Sequence, residues 1–324
     1  MLRAAIYGAG NWGTRLIESV QGKSDKIKFV TAVTRDPTGK QALADSFGLA
    51  LTTNYADVLA DPMIDAVVLC TPHSQHAAEI IAAAKTGKHV FCEKPFTLTR
   101  ADAEAAIAAC KTAGITLQVG FNRRYAPAYL DMKRRIDAGE IGKVRHIEGQ
   151  FSGPQSYQTE PGNWRSNQIE SPGGSMTARG VHAVDSMVHI AGLVDRVCAF
   201  STRLQLDIDV DDTTACLLRF ANGITGYLGT LHATAAFYRI HVFGSHGALE
   251  MRGETELIAS DLTGKFERIT FDAADKERAV LEAFAEAVAA GVKFPIAPDE
   301  IVNTVAVTEA VVESARGGKA VTVG

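Results

Sequence analysis

A glycine-rich stretch near the start of the chain constrains the fold more than any other feature. Residues 8–13 form a GxGxxG pattern directly after the apolar run Leu2–Tyr7, and they open an amphipathic segment, Asn11–Val20. A strand, a glycine turn and a helix in this order are typical of a loop whose backbone approaches a pyrophosphate at a helix N-terminus. The sequence therefore predicts a dinucleotide site formed by Gly8, Gly10, Asn11, Trp12 and Gly13.

The order of the predicted elements divides the chain in two. Up to residue 122, short apolar runs alternate with helix-like segments, which predicts an α/β Rossmann domain with a doubly wound parallel sheet. From residue 123 to residue 324, consecutive strands with short turns predict an α+β domain with a large, mostly antiparallel open sheet. We expect residues 1–122 to bind a dinucleotide and residues 123–324 to bind substrate, with the loop Ser152–Ser171 shaping the pocket.

The end of the second predicted strand bears on which dinucleotide is bound. NAD enzymes usually have an acidic residue there to hold the ribose hydroxyls, but this chain has Thr34 followed by Arg35. A hydroxyl and a guanidinium suit a 2′-phosphate, which favours NADP over NAD. The alternative is that Asp36 holds the ribose after a shift of one residue.

Composition excludes several classes of protein. The chain is 46% hydrophobic with a formal net charge of −4, so it has no basic excess for a nucleic-acid partner. No apolar run is long enough for a membrane span, and the strand Leu2–Tyr7 leaves no room for a signal peptide. The five cysteines form no CxxC pair, which indicates free thiols in a reducing compartment. We therefore expect a cytoplasmic protein whose partner is a small molecule.

Several segments together resemble the Gfo/Idh/MocA oxidoreductase family. The most specific is Gly87–Pro95, which ends in Glu93-Lys94-Pro95. Others follow the family's order along essentially the whole chain: Thr71-Pro72 with His76, Gly120–Tyr125, Asn163–Arg165, Gly173–Asp185 and Gly244–Gly247. The resemblance implies hydride transfer between NAD(P) and a hydroxyl or keto carbon of a sugar, polyol or related compound.

The resemblance also implies a set of site residues. Lys94 would lie near the nicotinamide and the substrate, with Glu93 beside it. The cofactor would be lined by Thr71, Pro72 and His76, and its nicotinamide end would be reached by Trp164 and Arg165. The substrate would be contacted by Lys94, Arg124, Tyr125, His182 and Asp185.

Lys94 and His182 have the chemistry of a catalytic pair. An ammonium at a strand's carboxyl end can hold an alkoxide, and an imidazole can exchange a proton with a hydroxyl. No metal is expected, because His182 and His189 would lie ~10 Å apart along a helix. The family often has an Asp four residues before this histidine, where this chain has Ala178. The neighbouring Arg179 is expected to point elsewhere and to be a poor substitute.

Three functions remain open on this basis. The first is an NADP-dependent dehydrogenase of a sugar or polyol, and the second is a dehydrogenase of a non-sugar cyclic diol or keto compound. The third, which Ala178 favours, is a cofactor-binding regulator that has lost turnover. Adjacent strands with few helices to cover them also predict a homo-oligomer, a dimer or tetramer, packed through the second domain's sheet.

Overall fold

The computed structural model describes residues 1–160 and 162–324, so Pro161, within the loop Ser152–Ser171, lies outside the described residues. The strands are β1 (Leu2–Tyr7), β2 (Ile27–Val33), β3 (Ala50–Thr52), β4 (Ala66–Leu69), β5 (His89–Cys92), β6 (Leu117–Val119), β7 (Val144–Ser152), β8 (Val194–Thr202), β9 (Thr213–Phe220), β10 (Thr225–Leu231), β11 (Phe237–Gly244), β12 (Gly247–Arg252), β13 (Glu256–Asp261), β14 (Phe266–Thr270) and β15 (Val321–Thr322). The α-helices are α1 (Asn11–Val20), α2 (Gln41–Phe47), α3 (Tyr55–Ala60), α4 (His76–Lys85), α5 (Arg100–Ala113), α6 (Pro127–Asp137), α7 (Val181–Ala191), α8 (Lys276–Ala289) and α9 (Pro298–Gly317).

The first compact unit is a parallel Rossmann sheet with its helices. It comprises Met1–Thr97, Ala101–Asn122 and Asp275–Pro298. Its six strands have the order β3-β2-β1-β4-β5-β6, and every neighbouring pair is parallel. β4 is buried along its whole length, as is usual for a strand covered on both faces. The predicted doubly wound sheet is confirmed.

A late segment of the chain belongs to this first unit. The sequence analysis placed residues 275–298 in the second domain, but α8 packs among the Rossmann elements. The rings of Phe284 and Phe91 lie 5.8 Å apart, centre to centre. Thr116 donates a hydrogen bond from Oγ1 to the carbonyl of Val292 at 2.9 Å. The first unit is therefore discontinuous in sequence.

The second compact unit is built on a large open sheet. It comprises Leu98–Arg100, Arg123–Ala274 and Asp299–Gly324. Its nine strands have the order β14-β13-β12-β11-β7-β10-β9-β8-β15, and only β7 and β10 pair in parallel. Apolar side chains of α6, α7 and α9 pack with one face of this sheet in a single core. The predicted α+β domain with a mostly antiparallel sheet is confirmed, and β13 and β14 extend it beyond the predicted strands.

The helix that contains His182 and His189 does not begin as a regular α-helix. It begins as a π-helix, Met176–Gly180, and continues as α7. Gly174 precedes it with φ +49°, and a Cβ there would lie 1.8 Å from the carbonyl oxygen of Asp211. Only glycine allows this approach, so the chain enters the helix at one fixed position.

The strands of the second unit also have a face that points away from this core. We call it the open face and define it by Phe200, Leu217, Tyr227, Glu148 and Arg239. Phe200 and Leu217 are 75% and 61% exposed. Arg239 Nη2 and Glu148 Oε2 form an ion pair at 2.5 Å on the same face. The open face thus combines apolar and charged groups, whereas the sequence analysis treated both faces as apolar.

Within the described ranges, no helix has the combination of length and apolar character that crossing a bilayer requires.

Candidate active site

The glycine loop presents an open helix terminus. Gly8 has φ +102°, and a Cβ on it would lie 2.5 Å from the carbonyl oxygen of Cys70. A Cβ on Gly13 would lie 2.1 Å from the carbonyl oxygen of Gly8. A Cβ on Gly10, in contrast, would have no atom within 4 Å, and no side chain caps α1. The first N–H groups of α1, which starts at Asn11, therefore face open space, and this arrangement fits a bound pyrophosphate.

At the end of β2, the residues proposed to select the cofactor differ in their hydrogen bonds and exposure. The Asp36 carboxylate accepts a hydrogen bond from the backbone N–H of Gly39 at 3.0 Å, so it caps its own turn. The Arg35 side chain is exposed, and Thr34 is anchored through its N–H to the carbonyl of Thr52 at 3.0 Å. The geometry leaves Thr34 and Arg35 better placed than Asp36 to contact a ligand at this edge.

His76 joins the loops that follow β4 and β5. It is fully buried, and its Nε2 lies 3.1 Å from the carbonyl oxygen of Thr71. Its Nδ1 lies 3.0 Å from the carbonyl oxygen of Pro95. This burial does not fit the expectation that His76 contacts the cofactor directly. The ring instead connects Thr71 with the loop that contains Lys94 and Pro95, and Pro72 beside Thr71 is half-buried.

A buried carboxyl group lies behind Thr71. The Thr71 hydroxyl donates a hydrogen bond to Glu79 Oε2 at 2.5 Å, and both residues are buried. Burial raises the pKa of Glu79 to about 7, although the Thr71 hydrogen bond opposes the shift. The sequence analysis did not single out Glu79, because it lies on the inner side of α4 within an alanine-rich run.

Glu93 and Lys94 follow β5 at its carboxyl end, where open α/β sheets bind ligands. The Lys94–Pro95 peptide bond is cis, as the sequence analysis allowed. The backbone N–H of Lys94 donates to Glu93 Oε2 at 3.3 Å. Burial raises the pKa of Glu93 to about 7, against the influence of Trp12 and of the Lys94 charge. The Glu93 carboxyl group therefore holds the backbone of Lys94 in place, and Lys94 itself is half-buried.

A second buried carboxylate, Glu277, comes from the late segment of the chain. Its Oε1 accepts a hydrogen bond from Asn122 Nδ2 at 3.2 Å and lies 3.3 Å from Arg15 Nη2. The charge of Glu277 is among the influences that raise the pKa of Glu93. Spacing along the sequence could not reveal it, because Asn122 and Glu277 are separated by 155 positions.

In the second unit, His182 lies in the first turn of α7 and is 6% exposed. Its ring centre is 5.9 Å from that of Phe151, which in turn lies 4.6 Å from that of Tyr238. Ala178 lies four positions before it within the π-helix and has no polar side-chain group. The imidazole therefore has an aromatic neighbour where the family resemblance leads one to expect a carboxylate.

Arg179 lies against the same aromatic ring that is next to His182. Residues three apart on a helix are neighbours, and the Arg179 guanidinium carbon lies 4.9 Å from the centre of the Phe151 ring. The Arg123 guanidinium carbon lies 5.1 Å from the same ring. Phe151 is thus shared by His182 and two arginines, and sequence analysis assigned no role to Arg123 or Phe151.

Arg124 and Asp185 do not present themselves to a substrate. Arg124 Nη2 lies 2.7 Å from Asp185 Oδ1 and 2.7 Å from Glu300 Oε2. The Asp185 side chain is only 1% exposed. Burial raises the pKa of Asp185 to about 6, and Arg124 opposes that shift. The expectation that both residues contact substrate does not fit this geometry, in which they form an internal ion pair. Tyr125, next along the chain, is half-buried.

Trp164 and Arg165 stack on each other at the short helical turn that follows Asn163. The Arg165 guanidinium carbon lies 3.9 Å from the centre of the indole. The Asn163 side chain accepts a hydrogen bond from the backbone N–H of Arg165 at 3.0 Å, which fixes the turn. Arg165 is exposed and Trp164 is half-buried, so both remain accessible to a ligand.

Metal ligation finds no candidate in the described part of the chain. No three His, Cys, Asp or Glu residues there are grouped as ligands. His189 Nδ1 instead lies 2.9 Å from the hydroxyl of Tyr129.

Comparison with known proteins gives the chain a family. A model described as an oxidoreductase family with an NAD-binding Rossmann fold (GFO_IDH_MocA) matches residues 2–121. A model of the GFO/IDH/MocA C-terminal domain matches residues 129–250. The first match lies in the first compact unit and the second match in the second.

Individual relatives agree. D-xylose 1-dehydrogenase (NADP(+)) 2 of Haloferax volcanii is 30% identical over 98% of this chain and 98% of its own. Myo-inositol 2-dehydrogenase of Thermotoga maritima is 30% identical over 81% of this chain and 79% of its own. A solved levoglucosan dehydrogenase in complex with NADH and levoglucosan shares the fold, with a TM-score of 0.91, 23% identity and 99% coverage of each chain. The chain is therefore a member of the Gfo/Idh/MocA family of oxidoreductases with an NAD-binding Rossmann fold.

Proposed function

We propose that this protein is an NADP-dependent dehydrogenase that oxidises a hydroxyl carbon of a sugar, polyol or related small molecule. The observation that carries the proposal is the uncapped start of α1 behind Gly10, where a pyrophosphate fits and a side chain is absent. The relatives named for xylose and myo-inositol support the substrate class. Thr71, Pro72, Trp164 and Arg165 are proposed as further cofactor contacts.

The catalytic work is assigned to Lys94 and His182. A bound NADP would supply the acceptor for the hydride of the hydroxyl carbon. The Lys94 ammonium holds the substrate oxygen and stabilises the negative charge that develops on it. His182 takes the hydroxyl proton, because imidazole is the side chain that exchanges protons near neutral pH. Tyr125 remains a proposed substrate contact.

The preference for NADP rests on the end of β2. Asp36 caps its own turn through Gly39, which favours Thr34 and Arg35 as the groups that meet the adenosine ribose and its 2′-phosphate. The family offers both possibilities, since one relative is named for NADP(+) and another was solved with NADH.

A regulator without turnover is the competing function, and Ala178 is the observation that favours it. The competing enzymatic function is a dehydrogenase that acts on a non-sugar diol or keto compound. Both would preserve the cofactor loop, so only a turnover assay separates them from the sugar dehydrogenase.

We further propose a cytoplasmic homo-oligomer, a dimer or tetramer, assembled through the open face. The five cysteines are unpaired thiols, which suits a reducing compartment. Leu217 pairs in register with Tyr227 and with Cys198, so apolar groups of adjacent strands lie side by side on this face.

The proposal is tested by measuring turnover in a variant that lacks the Lys94 ammonium. The protein is assayed with NADP and NAD against sugars, sugar acids, inositols and diols, and the absorbance of the reduced cofactor is followed. Lys94→Met should retain cofactor binding but lose about a hundredfold or more in turnover. Lys85→Met, on the exposed side of α4, is the matched control. Cofactor binding without turnover of any compound would support the regulator instead.

A further inference from the structure

Arg179 is a half-buried cation, and no carboxylate of the described residues forms an ion pair with it. Its guanidinium carbon lies over the Phe151 ring at 4.9 Å, and its Nη1 reaches the Ser152 carbonyl oxygen at 3.4 Å. Across residues 1–160 and 162–324, these are the contacts of the guanidinium, and neither supplies negative charge. A guanidinium carries five N–H donors, so most of its hydrogen-bonding capacity remains for a ligand.

The surroundings add positive rather than negative charge. Burial, and then the charge of Arg123, lower the pKa of Arg179 from its ordinary value. Arg123 lies over the same ring but is committed to an ion pair with Glu254. Asp185 is likewise committed to Arg124. Within residues 1–160 and 162–324, no hydrogen bond or ion pair to a carboxylate offsets the charge of Arg179.

The sequence of the π-helix explains why no carboxylate of the described residues lies beside the Arg179 guanidinium. Position 178, directly before Arg179, is alanine, so this turn of the π-helix supplies no carboxylate. Leaving a half-buried guanidinium uncompensated costs stability, and that cost is recovered when an anion binds. Stacking on the Phe151 ring holds the Arg179 guanidinium plane in place. The side chain therefore loses less conformational entropy when an anion binds.

We propose that Arg179 binds a carboxylate of the substrate, and that the substrate is a sugar acid rather than a neutral sugar. This inference rests on the proposed dehydrogenase function and narrows it. A carboxylate matches a single guanidinium in charge and in its paired oxygens. A phosphate dianion would call for a second cation, and Arg123 is already paired. The carboxylate is not altered by the reaction and serves to orient the hydroxyl carbon toward His182.

The experiment compares substrates that differ only in the carboxylate. D-glucuronate is paired with D-glucose and D-galacturonate with D-galactose, and kcat/KM is measured with NADP for wild type, Arg179→Met and Arg179→Lys. Binding of each compound to the cofactor-loaded protein is measured separately by calorimetry. Arg134→Met, at an exposed position on α6, is the control.

We expect wild type to favour at least one acid over its neutral partner, and Arg179→Met to lose about 10- to 100-fold in kcat/KM and affinity for that acid alone. Arg179→Lys should keep part of the preference. Turnover of the neutral sugars with no advantage for the acids would overturn the inference and leave the dehydrogenase standing. Arg179-dependent binding of an acid without turnover would support the carboxylate site and count against the dehydrogenase. An acid bound equally well by Arg179→Met would overturn the inference.

Discussion

The Arg124 guanidinium holds both carboxylate oxygens of Asp185, with Nε 3.1 Å from Oδ1 and 3.0 Å from Oδ2. Asp185 lies three positions after His182 on α7 and is the carboxylate that could have replaced the one missing at position 178. The carboxylate nearest in sequence to His182 therefore accepts its hydrogen bonds from an arginine.

This relationship predicts the pH dependence of catalysis. If His182 accepts the hydroxyl proton, the pH–rate profile of wild type should contain an ionisation that is absent from His182→Asn. Ala178→Asp should move that ionisation to higher pH, because a nearby carboxylate stabilises the imidazolium. Profiles of kcat and kcat/KM for the three proteins provide the measurement. A profile that is identical in wild type and His182→Asn would show that the proton goes elsewhere.

Cofactor choice can be tested at the end of β2. Arg35→Ala should weaken NADP binding by about tenfold or more, because a charge-assisted contact to phosphate is lost, while NAD binding should change little. Asp36→Asn is the companion variant, since it retains an oxygen that can cap Gly39. The measurement is the dissociation constant of each cofactor for wild type and both variants. A loss of NAD affinity in Asp36→Asn, with Arg35→Ala unchanged, would assign the ribose to Asp36.

Glu79 should make the protein less stable as pH rises. Its pKa in the fold is about 7, whereas an unfolded glutamate titrates near ~4.3. The folded state therefore binds this proton more tightly, and the free energy of unfolding falls between these two values. Glutamine has no such proton, so Glu79→Gln should gain stability over wild type as pH rises, and the gain should level off above about pH 7.

Urea unfolding of wild type and Glu79→Gln across this range provides the measurement. Glu18→Gln, exposed on α1, is the control and should show no such trend. A difference between Glu79→Gln and wild type that does not vary with pH would contradict the assignment.

His76 should matter for both stability and cofactor binding. His76→Ala removes the ring that joins the Thr71 and Pro95 carbonyls, so we expect the free energy of unfolding to fall by about 2–4 kcal/mol. NADP affinity should fall as well, because the two loops lose their common support. Chemical denaturation and cofactor titration measure the two effects. Gln75→Ala, exposed on the adjacent turn, should leave both unchanged.

Self-association should depend on the open face. A homo-oligomer would exceed the chain mass of 34.5 kDa in light scattering. Leu217→Arg introduces a charge into the apolar part of this face and should shift the mass toward the monomer. Leu262→Arg, at an equally exposed site between β13 and β14, should not. A wild-type monomer at micromolar concentration would refute the proposed assembly.

The sequence predicted those features that depend on local pattern. The GxGxxG turn, the parallel sheet and several strand limits could be recognised because glycine geometry and alternating burial are local properties. The partner of Asp185 could not, since Arg124 lies 61 positions away and no spacing rule links them. The contact of Arg179 with Phe151 could not be predicted either, because the two residues lie on elements that are far apart in the sequence.

Two strands and one helix were misplaced or overlooked for related reasons. β13 and β14 form a terminal hairpin of the sheet, where charged residues such as Glu267 and Arg268 obscure the alternation of apolar side chains. α8 has an ordinary amphipathic pattern that does not indicate which domain it will pack with. That information lies in contacts such as Phe284 with Phe91, which only the three-dimensional fold reveals.

The return of residues 275–298 to the Rossmann unit has a consequence for biosynthesis. The sheet strands of that unit are translated before Asn122, whereas Glu277 follows Asn122 by 155 positions. Until α8 is translated, the buried surface that it covers has no partner, and the nascent Rossmann segment should be a substrate for chaperones rather than an independent domain. Truncation after residue 122 should accordingly give an aggregation-prone fragment.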